Sequence, residues 1–265
     1  MPEGHTIHRL AKDHTSLLVG RPVGLASPQG RFATGAELLT GRVVERVEPY
    51  GKHLFYRFEG GLLLHVHLGL YGKWQTGWGA PPEPRGALRV RLTTDEAWLD
   101  LRGPTACEVM TPPDRDAVLA RLGPDPLRRD ADPERAWARI ARSRRPVGEL
   151  LLDQKVLCGI GNVYRAEVLY RARLSPFRPG TAVGRDVWEP MWEDLRTLLR
   201  AGVRQRRIIT TERLDRDRPS GLPTRADAHY VYRRQGLPCR RCGTEVRTQA
   251  MQQRNLFWCP TCQPG

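Results

Sequence analysis

Apolar residues near the start of the chain recur at helical spacing. Ile7, Leu10, Ala11, His14, Leu17 and Leu18 share a face, and Gly20 ends the pattern. One helix after Glu3 is therefore predicted. From Pro22 to about Met110 the period shortens. HLFYRF, LLLHVHLGL, ALRVRLTT and AWLDLR are short runs set apart by Gly60-Gly61 and by Pro81-Pro82 with Pro84. They predict strands of a β-sandwich or barrel. A helix-like stretch follows Thr111-Pro112-Pro113, and Arg121-Leu-Gly-Pro-Asp-Pro reads as a linker. Between Pro133 and about Arg207 the segments ERAWARIAR, VGELLLDQ, NVYRAEVLYRARL and VWEPMWEDLRTLLRAGV carry apolar stripes and predict helices. Thr211 to Ala228, rich in charge, Pro and Gly, reads as a mobile loop, and the tail from His229 as a small separate unit.

The fold class so predicted is α+β and multidomain. Residues 1–115 form a β-sandwich with a leading helix, 116–130 a linker, 131–228 a helical domain and 229–265 a C-terminal hairpin unit. No internal repeat is present.

Composition narrows the function. The chain has 265 residues, with 43 Lys and Arg against 29 Asp and Glu, a net charge of +14. A positive field of this size attracts polyanions, nucleic acid first and an anionic membrane second. Arg in place of Lys is what a GC-rich genome encodes, but codon usage does not create an excess of cations. No run of about 18 apolar residues suggests a spanning helix. The polar start MPEGHTIHRLAKDH does not read as a signal peptide, so a cytoplasmic, nucleoid-associated protein is expected.

Cys107 and Cys158 stand alone in apolar surroundings and read as small buried hydrophobes. Cys239-x-x-Cys242 and Cys259-x-x-Cys262 enclose a 16-residue interval. Two such turns supply four thiolates for a tetrahedral site suited to one structural Zn2+, with no coordination position left for catalysis. An iron–sulfur or redox site is the alternative. The stretch TEVRTQAMQQRNLFW within it fits a β-hairpin, and Arg240, Arg241, Arg247 and Arg254 make the segment basic enough to hold phosphates, or else are solvated surface charges.

Three further segments carry candidate chemistry. In Gln154-Lys155-Val-Leu-Cys-Gly159-Ile-Gly161-Asn162 two glycines permit a tight turn before a helix that starts near Asn162 as its cap. A helix start flanked by Lys155 and Arg165 favours phosphate, although an ordinary capped turn reads the same way. The chain opens Met1-Pro2-Glu3-Gly4. Removal of Met1 exposes a secondary amine whose reference pKa is about 7.7–8.0, so a useful fraction is nucleophilic at neutral pH. Attack on an aldehyde-like carbon gives an iminium with no N–H to lose, which promotes elimination at the next carbon. Glu3 is placed for proton transfer there. A disordered terminus is the plain alternative. Lys52, one of four lysines, enters a strand in Tyr50-Gly51-Lys52-His53 as a surface charge, a proton donor or a phosphate contact. His65 and His67 alternate on one strand face, either as a metal pair or as packed polar residues.

The order of these pieces resembles the Fpg/Nei family of DNA glycosylases over essentially the whole chain. The motifs are M-P-E-G, G-K-H-L-F near 52, H-L-G-L-Y-G near 70, L-G-P-D-P-L near 125, the G-I-G-N elbow and the terminal cysteine pairs. The likeness is strongest to the bacterial endonuclease VIII (Nei) branch, of the actinobacterial type. It implies a β-sandwich, a helix–two-turn–helix domain and a zinc finger, with double-stranded damaged DNA held in a cleft between domains by a monomer. The lesion is flipped out of the stack, because chemistry at its sugar needs access.

By similarity, Pro2 attacks C1′, expels the base and forms a Schiff base, assisted by Glu3. Lys52 matches the lysine assigned to β-elimination, and Arg254 the zinc-finger arginine linked to δ-elimination. Arg121 and Asn162 match DNA contacts, and Asp125 helps hold the domains together. The product is a one-nucleotide gap with phosphates at both ends. Where the Fpg branch carries Met after H-L-G and a later Arg-Arg-Phe wedge, this chain has Leu70-Tyr71 and Leu101-Arg102-Gly103-Pro104. Gly69 replaces the Gln of the enterobacterial Nei protein, leaving Leu70 and Tyr71 as the candidate wedge. The Thr211–Ala228 loop also differs from the 8-oxoguanine loop of the Fpg branch, so oxidised pyrimidines such as thymine glycol and 5-hydroxyuracil are the expected substrates. An 8-oxoguanine/formamidopyrimidine enzyme and a non-catalytic zinc-dependent damage sensor are the alternatives.

Overall fold

The computed structural model describes residues 2–265, in two compact units that divide between Arg121 and Leu122. In the first, helix α1 (Gly4–Leu18) buries Ile7, Leu10, Ala11, His14 and Leu18, the face its spacing predicts. Eight strands follow: β1 (Gly24–Ala26), β2 (Val44–Tyr50), β3 (His53–Phe58), β4 (Leu63–His67), β5 (Lys73–Trp78), β6 (Leu88–Thr93), β7 (Ala97–Arg102) and β8 (Ala106–Met110). They form two antiparallel sheets, ordered β2-β3-β4-β8 and β1-β6-β7-β5. Leu54, Tyr56, Leu64 and Val66 of one meet Val90, Leu92, Leu99 and Leu101 of the other in a shared core, which makes the unit a β-sandwich.

A helix, α2 (Ala33–Leu39), interrupts the stretch expected to be all strand. At seven residues it is too short to display a helical period, and only Ala36 and Leu39 anchor it in the core. The second sheet also encloses Asp100, which has no exposed surface and is gripped by Arg91 at 2.6 and 3.0 Å and by Arg102 at 2.8 Å. Helix α3 (Pro112–Ala120) ends the unit. A reciprocal cap between Thr111 and Asp114 starts it.

In the second unit α4 (Pro133–Ile140), the single turn α5 (Val147–Leu150), α6 (Asn162–Arg171) and α7 (Arg185–Gln205) pack around Leu157, Ile160, Trp188 and Leu195. Residues Asn162 to Tyr170 of α6 are all buried. One side of α6 faces this helical core. On the other, Ala166 and Tyr170 meet Tyr230, Val231, Phe257, Cys239 and Cys259 of the C-terminal segment. The expected hairpin is present as β9 (Arg247–Met251) and β10 (Arg254–Trp258). Among the described residues no helix is long and apolar enough to cross a membrane.

The hairpin turns on Gln252 and Gln253, both left-handed at φ 50° and 57°. Two positive φ values are what a type I′ turn requires, yet neither residue is Gly or Asn. Gln253→Gly should therefore stabilise this unit by about 1 kcal/mol, raising its melting temperature by roughly 2–4 °C. An unchanged or lowered melting temperature by calorimetry counts against that account.

Candidate nucleic-acid interface and reactive terminus

Glu3 is the N-cap of α1, with extended backbone (φ −121°, ψ 177°). Its carbonyl accepts hydrogen bonds from the amides of Thr6 at 2.9 Å and Ile7 at 3.4 Å, and the residue has no exposed surface. Pro2, half-buried, directly precedes it. The N-terminal end is thus tied to the first turn of a helix whose other face is core. The dipole of that turn makes the site favourable for an anionic group.

Lys52 occupies the turn between β2 and β3. Tyr50 pairs with His53, so Gly51 and Lys52 alone make the turn, and Gly51 takes φ 57° at the first central position, where such hairpins need glycine. The strand after Lys52 opens an imidazole cluster. His53 faces His67 across the β3–β4 ladder, with ring centroids 4.8 Å apart. His53 Nδ1 lies 2.9 Å from His65 Nε2, and His65 Nδ1 lies 2.9 Å from Glu108 Oε1 on β8. His65 fits the packed polar reading: it is hydrogen-bonded on both ring nitrogens, and among the described residues the cysteine quartet is the only metal-capable group of three or more side chains.

Burial, followed by the nearby His67, His65, Arg121 and Lys52, drives the His53 pKa down to about 3. Lys52 and Arg121 thus act on the same ring. His67 is lowered by burial, then by His65 and Lys52. Burial likewise takes His14, hydrogen-bonded to the Tyr56 hydroxyl at 2.7 Å, down to about 3. Each ring binds a proton more readily in the unfolded chain than in the fold. Their contribution to stability is complete above pH 6.5 and is lost progressively as pH falls from there towards about 3. His14 alone should remove about 2 kcal/mol between pH 7.5 and 5. Urea unfolding of the β-sandwich at both pH values measures this loss, and His14→Phe should shrink it. A pH-independent midpoint would refute it.

The loop from Leu68 to Gly72 is closed by a 2.9 Å bond from the Gly72 amide to the Leu68 carbonyl. Gly69 has φ +66°, and a Cβ there would stand 1.9 Å from Thr105 Oγ1. A side chain at 69 is therefore disfavoured by both conformation and space. The loop instead projects Leu70, 47% exposed, and Tyr71, 87% exposed. Two apolar side chains on a tight turn have the form of an unstacking wedge.

In the second unit the elbow brings Asn162 and Arg254 to neighbouring positions. Gly159 takes φ 90° in this turn. Asn162 does not cap α6 as expected: Gly161 is the N-cap, and Asn162 Nδ2 donates to the carbonyl of Asn255 at 2.8 Å. The strand hydrogen bond is available because β10 passes beside the helix start. Arg165, fully buried, donates to Asn162 Oδ1 and, at 3.4 Å, to the Asn255 carbonyl. The residue after Arg254 is thus held to the start of α6 by two side chains. Lys155 is exposed on the preceding turn, its amide donating to Asp153 Oδ1 at 3.0 Å. In the loop before the elbow Asp125 is buried and accepts from the Leu127 amide at 2.9 Å.

The ligand atoms of Cys239, Cys242, Cys259 and Cys262 all lie within 4.8 Å of one another, with Sγ separations of 3.8 Å (Cys239–Cys262) and 3.4 Å (Cys242–Cys259). A tetrahedron of Zn–S bonds has edges of about 3.8 Å, so the quartet fits a zinc site. Arg240 pairs with Asp217 and Asp227, and Arg241 with Glu212 and Asp215, so neither is a lone solvated charge. These pairs pin the Thr211–Ala228 loop. Thr210 and Thr211 close its base on Ala228 and Asp227.

Residues that sequence reading passed over include Glu108 and Glu167. Glu167, buried in α6, accepts from the amides of Tyr230, Val231 and Tyr232 at 2.7, 2.9 and 2.8 Å and from the Thr210 hydroxyl. Its one advance signal is a carboxylate set inside the apolar NVYRAEVLYRA run.

Three family models match the chain. They are the formamidopyrimidine-DNA glycosylase N-terminal domain over residues 1–107, its H2TH domain over 122–213, and the zinc finger found in FPG and IleRS over 236–265. Endonuclease 8 1 of Mycobacterium tuberculosis is 51% identical over 269 residues, 99% of this chain and 100% of that protein. The crystal structure of MutM (Fpg) from Thermus thermophilus superimposes with a TM-score of 0.81 at 29% identity, covering 99% of this chain and 98% of the other. Wild-type Lactococcus lactis Fpg, in complex with DNA containing N7-benzyl-Fapy-dG, shares the fold with a TM-score of 0.85 at 19% identity over 100% of both chains.

Proposed function

The chain belongs to the Fpg/Nei family of DNA glycosylases, and from that premise we propose that Pro2 is its nucleophile and oxidised pyrimidines are its substrates. It is a DNA glycosylase with AP lyase activity, acting in base excision repair. The observation that carries the reading is the position of Pro2, next to a fully buried Glu3 at the N-cap of α1. A secondary amine there is held in place by helix packing and stands beside a carboxylate able to move a proton.

In this reading the Pro2 nitrogen attacks C1′ of the flipped nucleotide and the N-glycosidic bond breaks. The base leaves with a proton and the sugar ring opens to an iminium on Pro2. Glu3 handles the proton at the sugar. The C2′–H bond then breaks. Its electron pair passes through the enamine and out through the C3′–O bond, which leaves as phosphate. Lys52 serves this β-elimination and Arg254 the following δ-elimination. Arg121, Lys155 and Asn162 hold phosphates, and Leu70 and Tyr71, above Gly69, occupy the space the lesion leaves. One zinc ion on Cys239, Cys242, Cys259 and Cys262 supplies structure only, because four thiolates fill its coordination. The enzyme acts as a monomer on damaged duplex DNA in the bacterial cytoplasm, at the nucleoid.

Borohydride should trap the protein covalently on DNA that carries an abasic site. Pro2→Gly, or a retained Met1 established by mass spectrometry, should abolish or strongly reduce trapping. Intact trapping in both would place the nucleophile elsewhere. Salt-sensitive binding without strand cleavage would instead identify a damage sensor. Excision from thymine glycol, 5-hydroxyuracil and 8-oxoguanine duplexes tests the substrate class. Preferred release of 8-oxoguanine opposite cytosine would overturn it.

A further inference from the structure

The imidazole cluster beside Lys52 is more ordered than phosphate binding alone requires. Glu108 is 52% exposed, so its carboxylate reaches water. It accepts from His65 Nδ1 at 2.9 Å, which fixes the hydrogen of a neutral His65 on Nδ1 and leaves Nε2 as an acceptor. The 2.9 Å contact to His53 Nδ1 then makes that nitrogen the donor. The remaining nitrogen of His53, Nε2, carries an unshared pair. Three strands thus hold one hydrogen-bonded line from solvent to the residue that follows Lys52: Glu108 on β8, His65 on β4 and His53 on β3.

We propose that Glu108, His65 and His53 form a proton relay that carries the proton released in β-elimination away from the Lys52 side of the site to water. The inference rests on the reading of Lys52 as the residue serving that step. A proton arriving at His53 Nε2 lets the Nδ1 proton of His53 pass to His65 Nε2. The Nδ1 proton of His65 passes in turn to Glu108, whose carboxyl releases it to water. One proton enters, one leaves, and no charge accumulates on the line. Rotation of both rings restores the starting tautomers.

The surroundings suit this task. Lys52, Arg121 and His67 all disfavour a resident charge on His53. Arg115, on α3, sits over the Phe55 ring at 5.7 Å and pairs with Glu48 at 3.5 Å and with Asp116 at 3.0 Å. Neutral rings in line pass a proton without trapping it. His53, His65 and Glu108 are here positioning and transfer groups; none is assigned contact with the sugar.

The test separates imine formation from strand cleavage on a duplex with one abasic site, at single turnover. His65→Asn and Glu108→Gln should be trapped by borohydride as fast and as completely as the native protein. Their nicking should slow by about 10- to 100-fold, with a changed pH profile and a larger rate ratio between H2O and D2O. His53→Gly should nick slowly and recover when imidazole is added, which a purely structural role for the ring does not predict. Glu108→Gln lies at the surface, so its slow nicking with an unchanged melting temperature guards against misfolding at His65. Normal trapping with unslowed nicking in His65→Asn and Glu108→Gln overturns the relay alone. A native protein that cannot be trapped overturns the Pro2 reading, and the relay with it.

Discussion

Stripping the metal from the four cysteines is expected to weaken DNA binding by about 10- to 100-fold while leaving the melting of the β-sandwich unchanged. Without the cation the four cysteines, whose sulfurs lie within 4.8 Å of one another, take up protons and lose the bonds that join the two turns to each other. Zinc binding to such sites supplies about 10–16 kcal/mol of apparent free energy, nearly all of it folding free energy. Cys239 and Cys259 also belong to the apolar cluster that joins Phe257 and Val246 to Ala166 and Tyr170 of α6, and the Tyr170 hydroxyl lies 3.1 Å from Cys239 Sγ. Losing the metal therefore loosens β10 and releases Asn255 from Asn162, so Arg254 is no longer held at the helix start. A charge-assisted hydrogen bond to phosphate is worth about 1.5–3 kcal/mol, which sets the fall in affinity. The slope of binding against salt should drop by about one phosphate contact. Trp258, in edge contact with Phe177 at 5.0 Å, gives a fluorescence signal for the unfolding. Unaltered affinity after proven metal loss would show that the hairpin holds Arg254 without zinc.

What could be read from the chain, and what could not, follows from the range of the interactions. The face of α1, the alternating strands and the paired C-x-x-C turns are local patterns, and each is present in the structure. Helix α2 escaped because seven residues show no period. The misplaced cap at Asn162 has a long-range cause: its partner is the carbonyl of Asn255, 93 residues on, and no local rule supplies it. At Arg240 and Arg241 a basic run reads as phosphate ligands or as surface charge, and gives no sign of the acids that neutralise it from the preceding loop. The relay could be glimpsed only as two alternating histidines. Its third ring and its carboxylate come from β3 and β8, which strand pairing brings alongside. Gly69 was read as a lost side chain. Its φ of +66° and the closeness of Thr105 explain why glycine stands there.

Glu167→Ala should destabilise the second unit by roughly 3–6 kcal/mol. The carboxylate has no exposed surface and accepts from three consecutive amides, those of Tyr230, Val231 and Tyr232, between 2.7 and 2.9 Å, as well as from the Thr210 hydroxyl. Removing it leaves buried donors facing a methyl group, at about 1–3 kcal/mol for each donor that finds no water. Glu167→Gln keeps the shape but turns one acceptor into a donor aimed at other donors, so it should relieve only part of the loss. The anchored segment leads into Cys239, and its Tyr230 ring stacks on Tyr170 at 4.7 Å. The variant should therefore lose zinc faster to a chelator as well as unfold earlier in urea. Melting of the β-sandwich provides the contrast, because α1 and its N-cap lie in the other unit and should fold normally. If Glu167→Ala unfolds within 1 kcal/mol of the native protein, the three amides have found other partners, and the packing of Tyr170 on Tyr230 must hold the segment in place of the carboxylate.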